Sequence, residues 1–169
     1  GGAWSEDSAV SITGGTITTG GGVQVIANNT GSAKAVIENG AKISGIGVND
    51  TELPTGSWYD TAAYINGKAV VDAQKSILVR STDNATADSN ATATTIGILM
   101  NASETYGYNY VNPKNKTSIQ ATLMARESIG IEALSRAVMN SITEENSGGL
   151  FSSGELYAYN LLNRNLTTE

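Results

Sequence analysis

The stretch Ser128–Ile142, SIGIEALSRAVMNSI, alternates between two kinds of side chain. Every second residue is apolar or small, and the residues between them include Glu132, Arg136 and Asn140. Alternation over this length predicts an extended strand with one buried face. The good helix formers in the stretch favour a helix instead, but a step of 100° per residue would scatter the charged residues through any apolar stripe. We therefore predict a strand.

The same pattern occurs 52 residues earlier, where Ala69–Ser81 aligns with Ala121–Ala133. One face stays apolar or small in both copies, whereas the other face changes freely. A third, weaker copy starts near Val23. Repetition at a period of about 50 residues is typical of solenoids and arrays. Strands are thus predicted at 76–90 and 128–142. Their predicted inward residues include Ile77, Val79, Ile129 and Ile131.

The composition is that of a strand-rich repeat protein. The 169 residues include 19 Gly and 2 Pro, with no Cys and no His. Such chains are typical of β-sandwiches, barrels and β-solenoids. We predict an all-β fold, a β-solenoid fragment of about three repeats of roughly 50 residues each. The predicted divisions are a ragged edge or linker at 1–8 and one solenoid segment at 9–169, with repeats at about 15–68, 69–120 and 121–169. Because the pattern starts and stops within a repeat, we expect a piece of a longer chain.

The first copy departs from the others between Gly47 and Thr61. Aligning Tyr64 with Tyr110 leaves about eight extra residues there, and insertions in repeat proteins go to external loops, often on a binding face. The segment combines two aromatic residues with carboxylates, which suits a glycan or a basic protein patch. The predicted binding residues are Trp58, Tyr59, Asp50, Glu52 and Asp60. We predict no metal site, although the three carboxylates leave calcium open as an alternative.

Charge and residue types exclude several classes of function. The net charge is −6 and the ten Lys and Arg residues are scattered singly, so we predict no nucleic-acid binding. A chain without His or Cys has no imidazole base and no thiol nucleophile. No apolar run approaches the roughly 18 residues of a membrane span. We predict a protein that is not an enzyme and has no cofactor. The remaining catalytic alternative is a carboxylate site near Arg80, drawn from Asp72, Asp83, Asp88 and Glu104.

Seven Asn-x-Ser/Thr sequons are present. Chance supplies several of them in a chain so rich in Asn, Ser and Thr, and Asn ladders or turns explain them as well as glycosylation does. The possible glycosylation sites are Asn28, Asn49, Asn84, Asn90, Asn101, Asn115 and Asn165.

Short strands, long Ala- and Ser-rich alternating strands and Gly-Gly corners succeed one another in a way that resembles the repeat region of large secreted bacterial exoproteins. These are the filamentous-haemagglutinin and leukotoxin-type proteins of two-partner secretion and the related autotransporter passengers. The resemblance covers about residues 9–169 and depends mainly on 69–87 and 121–139. It implies a right-handed β-helix on a bacterial surface that serves adhesion and virulence. Since the copies exceed one typical coil, each would hold two or more coils, or one coil with an extra-helical hairpin.

These observations predict a structural and binding segment of a cell-surface or secreted adhesin or toxin passenger. Its expected partner is a host-cell surface protein or glycan. A subunit of an extracellular filament, glycosylated and archaeal, is the alternative, and a carbohydrate-active β-helix is a third reading. Because a cut solenoid exposes unpaired strand edges, we also predict end-to-end self-association of this chain.

Overall fold

Strands make up nearly all of the chain that the structure describes. The computed structural model describes residues 7–169, apart from the side chains of residues 40–42 and 59. This range holds no helix, so the all-β prediction is confirmed. Residues 1–6 of the predicted edge lie outside the described range. The strands of residues 7–169 are β1 (Ser8–Thr13), β2 (Thr16–Thr19), β3 (Val23–Asn66), β4 (Val70–Ala73), β5 (Ile77–Ile119), β6 (Thr122–Ala125), β7 (Ile129–Gly148), β8 (Phe151–Leu162) and β9 (Asn165–Thr168).

The strands form two sheets, and their pairing is parallel. The larger sheet has the order β1-β3-β5-β7, with β8 and β9 also paired to β5, and the smaller sheet has the order β2-β4-β6. Val23 pairs with Ile77, and Ile77 pairs with Ile129, 52 residues further on. Each copy of the repeat therefore lies directly beside the next. One copy supplies one layer of strands, which corrects the expectation of two or more coils per copy.

The stretch Gly47–Thr61 does not leave the sheet as a loop. It belongs to β3 and pairs residue by residue with Asn101–Asn115 of β5. Tyr64 pairs with Ser118, whereas Tyr110 pairs with Gly56. The hydrogen-bond ladder shows that Tyr64 and Tyr110 are not equivalent. The apparent insertion of eight residues arose because the sequence alignment had matched these two tyrosines. The predicted insertion, and an extra-helical hairpin at this point, were wrong.

The two halves of each long strand face one another across a thin core. Ser81 Oγ in the first half of β5 lies 2.7 Å from Thr117 Oγ1 in the second half. Buried residues alternate with less buried ones along both halves. The space between them admits only small side chains, since a Cβ added to Gly107 would lie 2.5 Å from Ser141 Oγ. This narrow spacing explains why Ala, Ser and Thr fill the inward positions.

Larger apolar side chains gather at one corner, where the two sheets meet. Ile65, Val71, Ile77 and Val79 are fully buried there. Burial of each such side chain stabilises the fold by about 1.5–3 kcal/mol. The predicted inward orientation of Ile77 and Val79 is confirmed.

Ile129 and Ile131 differ from their partners in the neighbouring copy. They pair with Ile77 and Val79, yet their exposed fractions are 45% and 40%. The strand that carries them, β7, lies at the edge of the described sheet, so no further layer of the described chain covers them. The prediction that these two residues are buried was wrong because burial here needs a neighbour on both sides.

Asparagine side chains cross-link the two halves from within. The amide nitrogen of Asn115 donates to the carbonyl oxygens of Ser81 at 3.3 Å and Leu134 at 2.5 Å. Asn109 Nδ2 donates likewise to the carbonyl oxygen of Asn140 at 2.6 Å. These bonds join the facing halves of β5 and link β5 to the neighbouring copy.

Asp83 is the buried carboxylate of this core. Neither of its oxygens makes a hydrogen bond of good geometry within the described residues. Burial raises the pKa of the Asp83 carboxyl, and the nearby Ser135 hydroxyl and Arg164 charge oppose this shift only in part. The equivalent positions in the neighbouring copies hold Asn29 and Ser135, so the column accepts neutral polar groups.

We expect Asp83→Asn to raise the free energy of unfolding at pH 7 by about 1–2 kcal/mol, because it removes a poorly solvated charge. A raised pKa in the folded state means that the wild type loses stability as pH rises through the ordinary Asp range towards the folded pKa. The gain should therefore vanish near pH 3, where the carboxyl is protonated in both states. Thermal melts of both proteins at the two pH values measure this, and an equal gain at both would contradict it.

Candidate binding surface

The predicted binding residues lie on the outer face of the second half of β3. Asp50, Glu52 and Asp60 are exposed there and Trp58 is half-buried. Pairing along the strand directs them to one side, since the residues between them face the core. The side chain of Tyr59 lies outside the described residues. The structure thus gathers four of the five predicted residues on one face of a strand.

Strands β5 and β8 extend this face with a repeated motif. The column that starts at Asp50 continues through Glu104 to Glu155. The next column joins Glu52, Tyr106 and Tyr157. We call the combined area the tyrosine–carboxylate surface, and it comprises Asp50, Glu52, Trp58, Glu104, Tyr106, Tyr108, Tyr110, Glu155, Tyr157 and Tyr159.

Four tyrosine rings of this surface are stacked in parallel. The ring centroids of Tyr106 and Tyr157 are 4.8 Å apart, with 5° between the ring planes. The corresponding values for Tyr108 and Tyr159 are 5.4 Å and 10°. At these distances the rings cannot lie edge to edge in one plane. They stack face to face with an offset. Tyr106 and Tyr157 each cover one ring face of the other, as do Tyr108 and Tyr159, while Tyr159 remains 48% exposed.

Trp58 belongs to the same sheet surface. Its ring centroid lies 5.1 Å from that of Tyr110, with the planes tilted by 40°. The indole covers Gly56, where an added Cβ would overlap it. Trp58 is therefore packed on a strand, and it is not the free loop anchor that the sequence predicted.

Phenol groups and carboxylates are coupled by short hydrogen bonds. Tyr106 Oη donates to Glu104 Oε2 at 2.5 Å, and Tyr157 Oη donates to Glu155. These bonds raise the pKa of both tyrosines above the usual range, and burial raises the pKa of Tyr108. The phenols of Tyr106, Tyr108 and Tyr157 therefore stay protonated at neutral pH. The surface offers carboxylate and phenol oxygens as acceptors, and its charge is negative.

The structure does not bring together the three carboxylates of the calcium alternative, Asp50, Glu52 and Asp60. Glu52 and Asp60 are eight residues apart on an extended strand, a separation of roughly 26 Å. The Asp60 backbone N–H donates to Asp7 Oδ1 at 2.7 Å. Within residues 7–169 no cluster of three or more His, Cys, Asp or Glu has a metal-binding arrangement.

The carboxylates of the catalytic alternative are dispersed in the same way. Asp83 lies in the core, while Glu104 lies on the outer face of the opposite half of β5. Arg80 forms an ion pair with Glu132, with 2.7 Å between Nε and Oε2. No shared cleft joins these three positions.

The sequons divide by the direction of their side chains. Asn101 and Asn115 are buried and donate to backbone carbonyl oxygens, so a glycan cannot reach them in the folded chain. Asn49 is half-buried. The exposed sequon residues are Asn28, Asn84, Asn90 and Asn165.

Comparisons with known proteins identify no relative. No protein-family model, curated protein or solved structure matches this chain. As for membranes, residues 7–169 contain no helix with the length and apolar character needed to cross one.

Proposed function

We propose that this chain is a β-solenoid segment that forms a structural and binding part of a cell-surface or secreted adhesin or toxin passenger. The direct parallel pairing of successive copies supports a rod in which each layer contacts only its neighbours. The extracellular location rests on the resemblance of the repeat pattern to secreted exoproteins.

The tyrosine–carboxylate surface is the proposed contact area, and its proposed partner is a basic patch on a host-cell surface protein. The observation that carries this proposal is the stacking of the rings beside carboxylates. A glycan packs on an open ring face, whereas Tyr106 and Tyr157 cover one face of each other and carboxylates flank both rings. Lys and Arg side chains instead supply donors to the carboxylates and lay apolar stems along the rings.

An arginine-containing peptide without apolar residues is the probe for this surface. We expect the double variant Glu104→Gln/Glu155→Gln to bind it at least tenfold more weakly than the wild type, a change of about 1.4 kcal/mol. The matched control Glu38→Gln/Glu144→Gln removes the same charge from another exposed column and should bind within about twofold of the wild type. Fluorescence anisotropy at two salt concentrations measures both. Equal losses in the two variants would show that net charge alone attracts the probe and would contradict the proposal.

A subunit of an extracellular filament is the second candidate, and it is favoured by the edges of the larger sheet. Within the described chain β7 pairs on one side only, with β5. Such an edge pairs with another copy head to tail, as end-to-end self-association requires. Light scattering that shows mass growing with concentration would support the filament, and a strict monomer at high concentration would count against it.

A further inference from the structure

Large apolar side chains stand exposed where each long strand turns from its first half to its second. Val48 and Met100 are exposed there, and so are two further residues from each copy, with exposed fractions of 55–75%. We call this area the apolar ridge, and these residues are Ile43, Ile46, Ile98, Leu99, Leu150 and Phe151. The turns lie in register, since Ile46 pairs with Met100 and Met100 with Phe151, so the ridge runs through all three layers.

The turn is too tight to take these side chains inside. Thr95 and Asn101 fill the core on either side of it. A Cβ on Gly97 would overlap the Met100 carbonyl oxygen, and a Cβ on Gly149 would overlap the Gly97 carbonyl oxygen. Ile98 and Leu99 are therefore more than half exposed although their strand, β5, pairs with neighbouring copies on both sides.

The ridge is large for an exposed apolar patch. The six side chains of the ridge, each more than half exposed, give on the order of 800 Å² of apolar surface, which exceeds the few hundred Å² usual on a monomer. Each partner in a stable protein interface buries about the same area. The ridge is thus large enough to serve as the centre of an interface.

The charged residues around the ridge indicate which kind of partner it binds: a second copy of the chain, a lipid surface or a segment of another protein. Lys42, whose side chain lies outside the described residues, is the one charged residue in 39–49, 93–103 and 146–154. Carboxylates stand on both sides of it, in the column from Asp50 to Glu155 and in the column that contains Glu38 and Glu144. A second copy would bring like charges together, and an anionic lipid surface would be repelled. A chain segment with an apolar centre between cationic residues matches both features.

We propose that the apolar ridge is the docking site for a partner polypeptide segment whose apolar centre is flanked by Lys or Arg. This inference rests on the proposed function only in sharing the column from Asp50 to Glu155 with the tyrosine–carboxylate surface. The ridge supplies the apolar anchor and the two carboxylate columns fix the position of the segment.

Two synthetic peptides with the same Leu-Phe-Ile centre test the site, one flanked by Lys and the other by Glu. We expect the Lys-flanked peptide to bind the whole chain at least tenfold more tightly than the Glu-flanked one. The triple variant Ile98→Ser/Leu99→Ser/Phe151→Ser should weaken its binding at least tenfold. The control Leu134→Ser/Val138→Ser/Ile142→Ser removes three apolar residues exposed on β7 and should bind within twofold of the wild type. If the triple variant melts at a lower temperature than the wild type, the single variant Phe151→Ser replaces it in the binding measurement.

Several results would overturn the inference. One is equal weakening by the ridge and control variants, and another is equal binding of the two peptides. Wild-type self-association that the ridge substitutions abolish would assign the ridge to a second copy. Binding to phosphatidylcholine vesicles that depends on the ridge, without peptide binding, would assign it to lipid. Failure of the proposed function appears separately, as unchanged binding of the arginine probe by Glu104→Gln/Glu155→Gln.

Discussion

Replacing Ile77 by Asp is expected to lower the free energy of unfolding by at least about 3–5 kcal/mol, a large part of the roughly 5–15 kcal/mol that stabilises an ordinary domain. Ile77 is fully buried in the apolar corner beside Ile65 and Val71. A carboxylate there would lose its hydration and gain no ion-pair partner. Urea denaturation followed by circular dichroism measures the loss, and a midpoint close to that of the wild type would contradict the described core.

The paired substitution Ile129→Asp is the control for position. Ile129 occupies the equivalent place in the next copy but is 45% exposed. Its carboxylate can reach water, so we expect a loss below about 1 kcal/mol. The inward position that the sequence predicted for Ile131 would make Ile131→Asp unfold the second half of the chain, but Ile131 is 40% exposed, so we expect a similarly small loss. Equal effects at Ile77 and Ile129 would mean that another layer covers β7.

Gly97→Ala is the second substitution with a large expected effect, a loss of about 2–4 kcal/mol. The added methyl group would overlap the Met100 carbonyl oxygen, and a backbone atom cannot move aside as a flexible side chain can. Gly45 lies in the corresponding turn of the preceding copy, where an added Cβ meets nothing within 4 Å. Gly45→Ala should therefore change stability by less than about 0.5 kcal/mol. Urea midpoints of the two variants test the contrast, which equal values would contradict.

The alternation in the sequence predicted the strands and the face on which each side chain lies, because the pleat of a strand sets the direction of each side chain locally. Ser81 and Ala133 show this, since they pair across copies as the 52-residue offset requires. The alignment of the first copy could not be read so simply. There the sequence suggested that Tyr64 aligns with Tyr110, whereas the backbone hydrogen bonds, which only the structure reveals, pair Tyr64 with Ser118. Burial of Ile129 likewise depends on a neighbouring layer and not on the local pattern.

The candidate surface had a signal in the sequence that we did not use. Glu104-x-Tyr-x-Tyr108 and Glu155-x-Tyr-x-Tyr159 are the same motif at an offset of 51 residues. Spacing by two residues places all members of each motif on one face of a strand. The sequence contains no such signal for the apolar ridge. From the sequence alone Ile98 and Leu99 would be assigned to the core, and only the structure shows that the turn is too tight to bury them.

Direct pairing of one copy with the next also sets the valency of the outer surface. Adjacent parallel strands lie about 4.8 Å apart, so equivalent outward residues recur on a fixed lattice. One more copy with the Glu-x-Tyr-x-Tyr motif would lengthen its column by one step and leave the existing ring positions unchanged. Affinity for an extended partner would then grow by avidity, through the number of copies, without any change in an individual contact.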